Sequence, residues 1–256
     1  MIDIHSHILP GVDDGSQDIE MTLKMLREAS KDGTKKIVAT PHYCREYGYL
    51  EYSTAKTKVN ELKSKVKEEN IDIELFHGQE IYYEENILEW YNENKIGTIN
   101  DTKYMLIELP LDKFDSYKAI DTIYELQIKG ITPILAHPER YMPFKNNPES
   151  INDFIKEGFL FQMNASSING EFGKGAEKTS KIFLENRIYS FIGSDAHSDV
   201  TRTTKISEFL QKINRTDEEY NKIIEENSIK MLKNEEVNFI GSLIKRKKKG
   251  LFSFFR

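Results

Sequence analysis

"MIDIHSHILPGVDDGSQDIEMTLKMLREASKDG" (residues 1–33) holds the pattern that decides the fold. Residues 1–5 read as a strand, and a loop carrying Asp13 and Asp14 follows. From Asp18 the apolar positions recur with helical period until Gly33 closes the run. Strand, loop and helix make one β–α unit, and the unit recurs along the chain. "KKIVATPHY" (35–43) precedes a charged helix around 51–69, and "IDIELFHGQEI" (71–81) precedes a helix near 84–94. "KYMLIELP" (103–110) leads into a helix around 116–129 that ends at Gly130. "ITPILAHPER" (131–140) precedes "PESINDFIKEG" (148–158), where Pro148 suits a helix's first turn. "FLFQMNASS" (159–167) precedes a helix near 174–186, and "IYSFIGSDAHSD" (188–199) precedes helices up to about 233. Seven repeats with no long Pro/Gly/Ser linker imply a mainly parallel sheet in one domain over 1–242, followed by a tail at 243–256. No G-x-G-x-x-G phosphate loop is present, so the expected fold is α/β, an irregular (β/α)7 barrel. An open, mainly parallel α/β sheet is the alternative.

The chain has 256 residues, 38% hydrophobic and 30% charged, enough for one large core. Its single cysteine, Cys44, excludes an intramolecular disulfide and suits a reducing compartment. Neither a signal-peptide pattern nor a membrane-length apolar run is found, so a cytoplasmic protein is expected. Net charge is −6, but Lys245, Arg246, Lys247, Lys248, Lys249 and Arg256 are all terminal, and without these six the remainder carries −12. An acidic body argues against general nucleic-acid binding. The tail "IKRKKKGLFSFFR" (244–256) joins five consecutive cations to Leu251, Phe252, Phe254 and Phe255. It reads either as a solvated end or as a peripheral contact with an anionic membrane.

In an α/β barrel, function gathers where strands end and β–α loops begin. The exits read His5 and His7, His42, Glu80, Glu108, His137, Asn164, then Asp195 with His197, while Asp14 lies in the first loop. Five of the six histidines fall at exits, and only His77 does not. His5 and His7, two apart on a strand, face the same side. Any one of these side chains could be a buried core histidine or a helix cap; the set together reads as a metal site. Mixed imidazole and carboxylate donors suit Mn²⁺, Zn²⁺ or Fe²⁺, and nine of them exceed one ion's needs, so two or three ions are expected, with a carboxylate such as Glu80 as bridge. Clustered ions clamp the attacking and leaving oxygens of a displacement, as phosphoester hydrolysis requires. Arg140 and Arg202, each a few residues beyond an exit histidine, have the fork that matches phosphate oxygens. A thiol phosphatase is disfavoured, because the arginine of such a loop would fall at position 50, which is Leu50.

The ordered set "DIHSHILPGVDDG", "TPHY", "GQEIY", "LIELP", "LAHPERY" and "GSDAHS", between residues 3 and 202, resembles the PHP superfamily. Within it, the set resembles the manganese-dependent protein-tyrosine phosphatases of bacterial capsule and exopolysaccharide loci. The resemblance implies a (β/α)7 barrel with a trinuclear site. It implies that His5, His7, Glu80 and Asp195 hold one ion, that Glu80 bridges to a second ion with Glu108 and His137, and that Asp14, His42 and His197 serve a third. Asp13 would then support the ligands. The implied chemistry is phosphotyrosine hydrolysis by a metal-bound hydroxide, and the implied partner is a bacterial tyrosine kinase controlling polysaccharide export. Three alternatives stay open: a phosphatase for a small phosphomonoester such as histidinol phosphate, a metal-dependent amidohydrolase, and a catalytically idle kinase-docking module.

Overall fold

A computed structural model describes residues 1–245. The basic and aromatic tail residues 246–256 lie outside the described residues. Each strand run of the sequence becomes parallel strand, but two of the seven are interrupted. The first strand, β1 (Ile2–Ser6), leads into α1 (Ile19–Asp32). The Asp18 carboxylate accepts from the Met21 amide at 2.8 Å, an N-cap worth about 1 kcal/mol. Residues 35–43 form β2 (Lys36–Ala39) and β3 (His42–Tyr43), separated at Thr40 and Pro41, where proline removes a ladder donor. After α2 (Tyr52–Glu68), residues 71–81 likewise split into β4 (Glu74–His77) and β5 (Glu80–Tyr82) around Gly78 and Gln79.

The remaining units are more regular. They are α3 (Ile87–Asn92), β6 (Tyr104–Glu108), α4 (Ser116–Ile128) and β7 (Thr132–Ala136). Two short helices follow, α5 (Met142–Asn146) and α6 (Ile151–Lys156), the first of which the sequence pattern does not foretell. Then come β8 (Leu160–Asn164), α7 (Gly173–Glu185), β9 (Phe191–Gly193), α8 (Ser207–Thr216) and α9 (Glu218–Leu232).

All strand pairs are parallel, in the orders β1-β2-β4 and β3-β5-β6-β7-β8-β9. Because β2 runs into β3 and β4 into β5, the two sheets are the lower and upper parts of one curled wall. The wall returns on itself: Asp195 N–H donates to the His5 carbonyl at 2.8 Å, and His7 N–H donates to the Ala196 carbonyl at 2.9 Å. That return excludes the open-sheet alternative and gives the irregular seven-stranded barrel. Ile4, Val38, Leu106, Ile134, Leu160 and Phe191, from different strands, fill its interior. Met231 and Val237 join this cluster, and the Tyr104 hydroxyl donates to the Glu235 carbonyl at 2.6 Å. Outside, α1 and α2 pack Met25, Leu26, Val59 and Leu62 against Ile37 and Leu75. The chain past the last helix stays docked, since Asn152 exchanges two hydrogen bonds of 2.9 Å with the Ile244 backbone. Among the described residues, no helix is long and apolar enough to cross a membrane.

One irregularity aims the first histidine. Asp3 pairs with Ile37, yet Ser6 pairs with Ala39, so β1 carries one extra residue against β2. Such a bulge reverses the alternation beyond it. Ile4 therefore faces the interior below, and His5 still turns inward above, its Nδ1 2.9 Å from Oε1 of Gln162.

Candidate metal centre

The strand exits converge on a cleft of about 370 Å³, lined among others by Asp14, His42, Glu80, Glu108, His137, Asp195 and His197. His5 and His7 lie at its floor, fully buried. Their Nε2 atoms are 3.2 Å apart and face the same Glu80 oxygen, at 3.1 Å from His5 and 3.2 Å from His7. Asp195 Oδ1 is 3.6 and 3.5 Å from the same two nitrogens. The other Glu80 oxygen meets His137 Nε2 at 3.0 Å, and Glu108 lies 3.5 Å from that nitrogen. His42 Nδ1 sits 3.2 Å from Glu80 Oε2 and 4.0 Å from Glu108. On the far side, Asp14 Oδ1 is 3.3 Å from His197 Nε2 and 3.6 Å from His42 Nε2.

Three sets have donor atoms all within 4.8 Å of one another: His5, His7, Glu80 and Asp195; His42, Glu80 and Glu108; and His7, Asp14, His42 and His197. Eight of the nine expected ligands fall in these sets, His137 being the exception. His42 stands between the second and third sets, and His137 adjoins the second through Glu80. His77 is elsewhere, with Nε2 3.4 Å from Asp101.

Donor chemistry fits divalent cations. Among the described residues, Glu80 Oε2, His42 Nδ1 and His197 Nε2 are buried polar atoms without a hydrogen-bond partner, although each faces this centre. Such orphans are costly unless something binds them. Burial holds His42 and His137 down at about 4, the latter helped by Arg140, so both imidazoles present lone pairs at neutral pH. Burial and the adjacent Glu80 push Glu108 well above the usual carboxylate range, a like-charge conflict that a cation relieves.

The ligands are also aimed from behind. His7 Nδ1 is 2.9 Å from Asp13, and Asp13 further accepts from the amides of Gly15 and His42. His5 Nδ1–H donates to Gln162 and His197 Nδ1–H to the Asp195 carbonyl, both at 2.9 Å. In each case the Nδ1 proton is engaged and Nε2 is turned to the centre. Asp13 had an expected supporting place; Gln162 had none, its only sequence signal being a polar residue within the apolar run "FLFQMN". Close approach explains two glycines. A Cβ at Gly15 would lie 2.1 Å from the His7 carbonyl oxygen, and one at Gly193 2.5 Å from His5 Cβ. His137 (φ 30), Asp195 (φ 51) and Arg202 (φ 49) hold left-handed backbone, which costs about 1–2 kcal/mol per non-glycine residue. Strain of this kind collects at functional sites.

Both expected arginines reach the cleft. Arg140 Nη1 and Arg202 Nη2 contact the same Asp195 oxygen, at 2.8 and 2.7 Å, and Asn164 Nδ2 joins them at 2.6 Å. Although burial pushes the Asp195 carboxyl up, His5, Arg202 and Arg140 together hold it well below the usual carboxylate range. Among the described residues, Arg202 Nε is buried without an acceptor. Cys44 lines the cleft too, but burial raises its thiol, the opposite of what a nucleophilic thiolate needs. Cys44→Ser is accordingly expected to keep turnover within about threefold, measured by steady-state kinetics. A loss matching that of a His5 substitution would reinstate a thiol.

A barrel with this centre defines a metallohydrolase-like protein. The chain belongs to the family described as "Capsular polysaccharide synthesis, CpsB/CapC", whose profile matches residues 1–233. It is 33% identical over 257 residues to tyrosine-protein phosphatase YwqE of Bacillus subtilis, covering all of both chains. It is 35% identical to tyrosine-protein phosphatase CpsB of Streptococcus pneumoniae, covering 77% of this chain and 83% of that one. A chain from the crystal structures of YwqE and CpsB, described as metal-dependent tyrosine phosphatases, superposes with TM-score 0.91 at 32% identity, covering 96% of this chain and all of that one. A TatD-like protein from Archaeoglobus fulgidus shares the fold alone, at TM-score 0.51 and 12% identity.

Proposed function

We propose that this protein is a metal-dependent protein-tyrosine phosphatase. The observation that carries the reading is the sharing of Glu80 between imidazole and carboxylate sets, with two arginines at the rim. His5, His7, Glu80 and Asp195 would hold one ion; Glu80, Glu108 and His137 a second; Asp14, His42 and His197 a third. Mn²⁺ is the proposed ion, with Fe or Zn as variants of the same donor chemistry. Bound there, the ions would supply Lewis acidity and a water-derived nucleophile. Arg140 and Arg202 receive the phosphoryl oxygens, each with N–H groups to spare beyond Asp195. Tyr47, Tyr82 and Leu111 line the same cleft and can flank an aromatic ring. The phenolate that leaves has a pKa of about 10, far less basic than an alkoxide, so little protonation is required of the protein.

The substrate proposed is a phosphotyrosine-bearing bacterial tyrosine kinase of capsule or exopolysaccharide synthesis, met in the cytoplasm. Phosphate release from a phosphotyrosine peptide, a phosphoserine peptide and histidinol phosphate, with Mn²⁺ present, tests the reading. Preference for the first is expected; preference for histidinol phosphate would transfer the site to small molecules, and no turnover of any would leave an idle docking module. The tail adds a proposed peripheral contact with anionic membrane, each Lys or Arg near such a surface contributing about 1 kcal/mol. The full chain should sediment with anionic vesicles at low salt and a chain ending at Ser242 should not. Equal, poor sedimentation would reduce the tail to a solvated end.

A further inference from the structure

Phe172 had no place in the expected site, yet its ring meets both arginines. The Arg140 guanidinium carbon lies 4.4 Å from the ring centroid and that of Arg202 5.6 Å. The ring is set there by a tight turn between two left-handed glycines, Gly170 (φ 81) and Gly173 (φ 86). Gly173 N–H donates to the Gly170 carbonyl at 2.9 Å, and Phe172 itself (φ −98, ψ 21) has the dihedrals of the third residue of a type I turn. From this turn the chain enters α7.

Two guanidiniums that converge on one Asp195 oxygen repel each other. Negative charge stands at their tips, and the electron-rich aromatic face stands behind them. The same cleft offers competing anions, Glu46 and Asp112, toward which long arginine side chains could swing. We propose that Phe172 is a positioning residue of the phosphate site, the shared platform that holds Arg140 and Arg202 side by side. The inference rests on the phosphate-binding part of the reading above. It differs from simple packing in requiring an aromatic face rather than apolar bulk.

Phe172→Leu and Phe172→Trp separate the two. Leu retains apolar bulk and Trp retains the face. In the Mn²⁺-loaded full chain, Phe172→Leu should raise both KM for a phosphotyrosine peptide and the inhibition constant of inorganic phosphate about tenfold, with kcat changed less than about threefold. Phe172→Trp should keep all three within about threefold. Unchanged constants in the Leu variant, or equal losses in both, would overturn the platform. Calorimetric binding of inorganic phosphate to the same Mn²⁺-loaded proteins reads the platform independently of turnover. A wild-type chain that binds phosphate but hydrolyses no phosphotyrosine would sink the phosphatase reading and leave this comparison decisive.

Discussion

Glu80→Ala is expected to lower phosphotyrosine-peptide turnover by a factor on the order of 10³ or more. Glu80 faces four imidazoles, those of His5, His7, His42 and His137, at 3.0–3.2 Å. It belongs to two of the three donor sets, so its loss disassembles both. Glu80→Gln keeps the volume and removes the charge, and should fall nearly as far, because a neutral amide bridges cations poorly. Steady-state kinetics, with metal content and circular dichroism on the same samples, is the check. A folded Glu80→Ala protein with turnover within tenfold of wild type would show that the shared carboxylate is dispensable.

Arg202→Ala and Arg140→Ala are expected to cost about 2 kcal/mol each in kcat/KM, roughly 30-fold, if each supplies a charge-assisted contact to a phosphoryl oxygen. Arg202 should be at least as sensitive, since its buried Nε has no acceptor among the described residues. Neither change should empty the metal sites. Asp195 would keep Asn164 Nδ2 at 2.6 Å and the other arginine, so its orientation survives a single substitution. Metal content should therefore stay near wild type while phosphate inhibition weakens. Wild-type kinetics in both variants would remove the arginines from the site and leave them as ion-pair partners of Asp195.

The nine candidate ligands were legible because barrel chemistry is periodic. Polar residues gather at the strand exits, and a run such as "ITPILAHPER" shows apolar strand, then His137, then Arg140. Helix ends were legible where a local cap marks them, as at Asp18 and Gly33. The interruptions at Thr40–Pro41 and Gly78–Gln79 carry only a local break signal, Pro41 and Gly78, which does not say how the two halves pair, because register is a property of the pair. The β1 bulge was hidden for the same reason. Gln162 and Phe172 are decided by partners far along the chain, His5 in one case and Arg140 and Arg202 in the other. Local sequence holds no record of such meetings.

The central claim, that this cleft works through bound metal, is tested most directly by stripping the protein with a chelator and titrating ions back on a phosphotyrosine peptide. The account predicts that phosphate release disappears on stripping and returns with Mn²⁺, less well with Mg²⁺, because imidazole donors favour the softer ion. Recovery should saturate at two to three Mn²⁺ per chain, since the three donor sets share His7, His42 and Glu80. A stripped, verifiably metal-free protein that retained full turnover would contradict it.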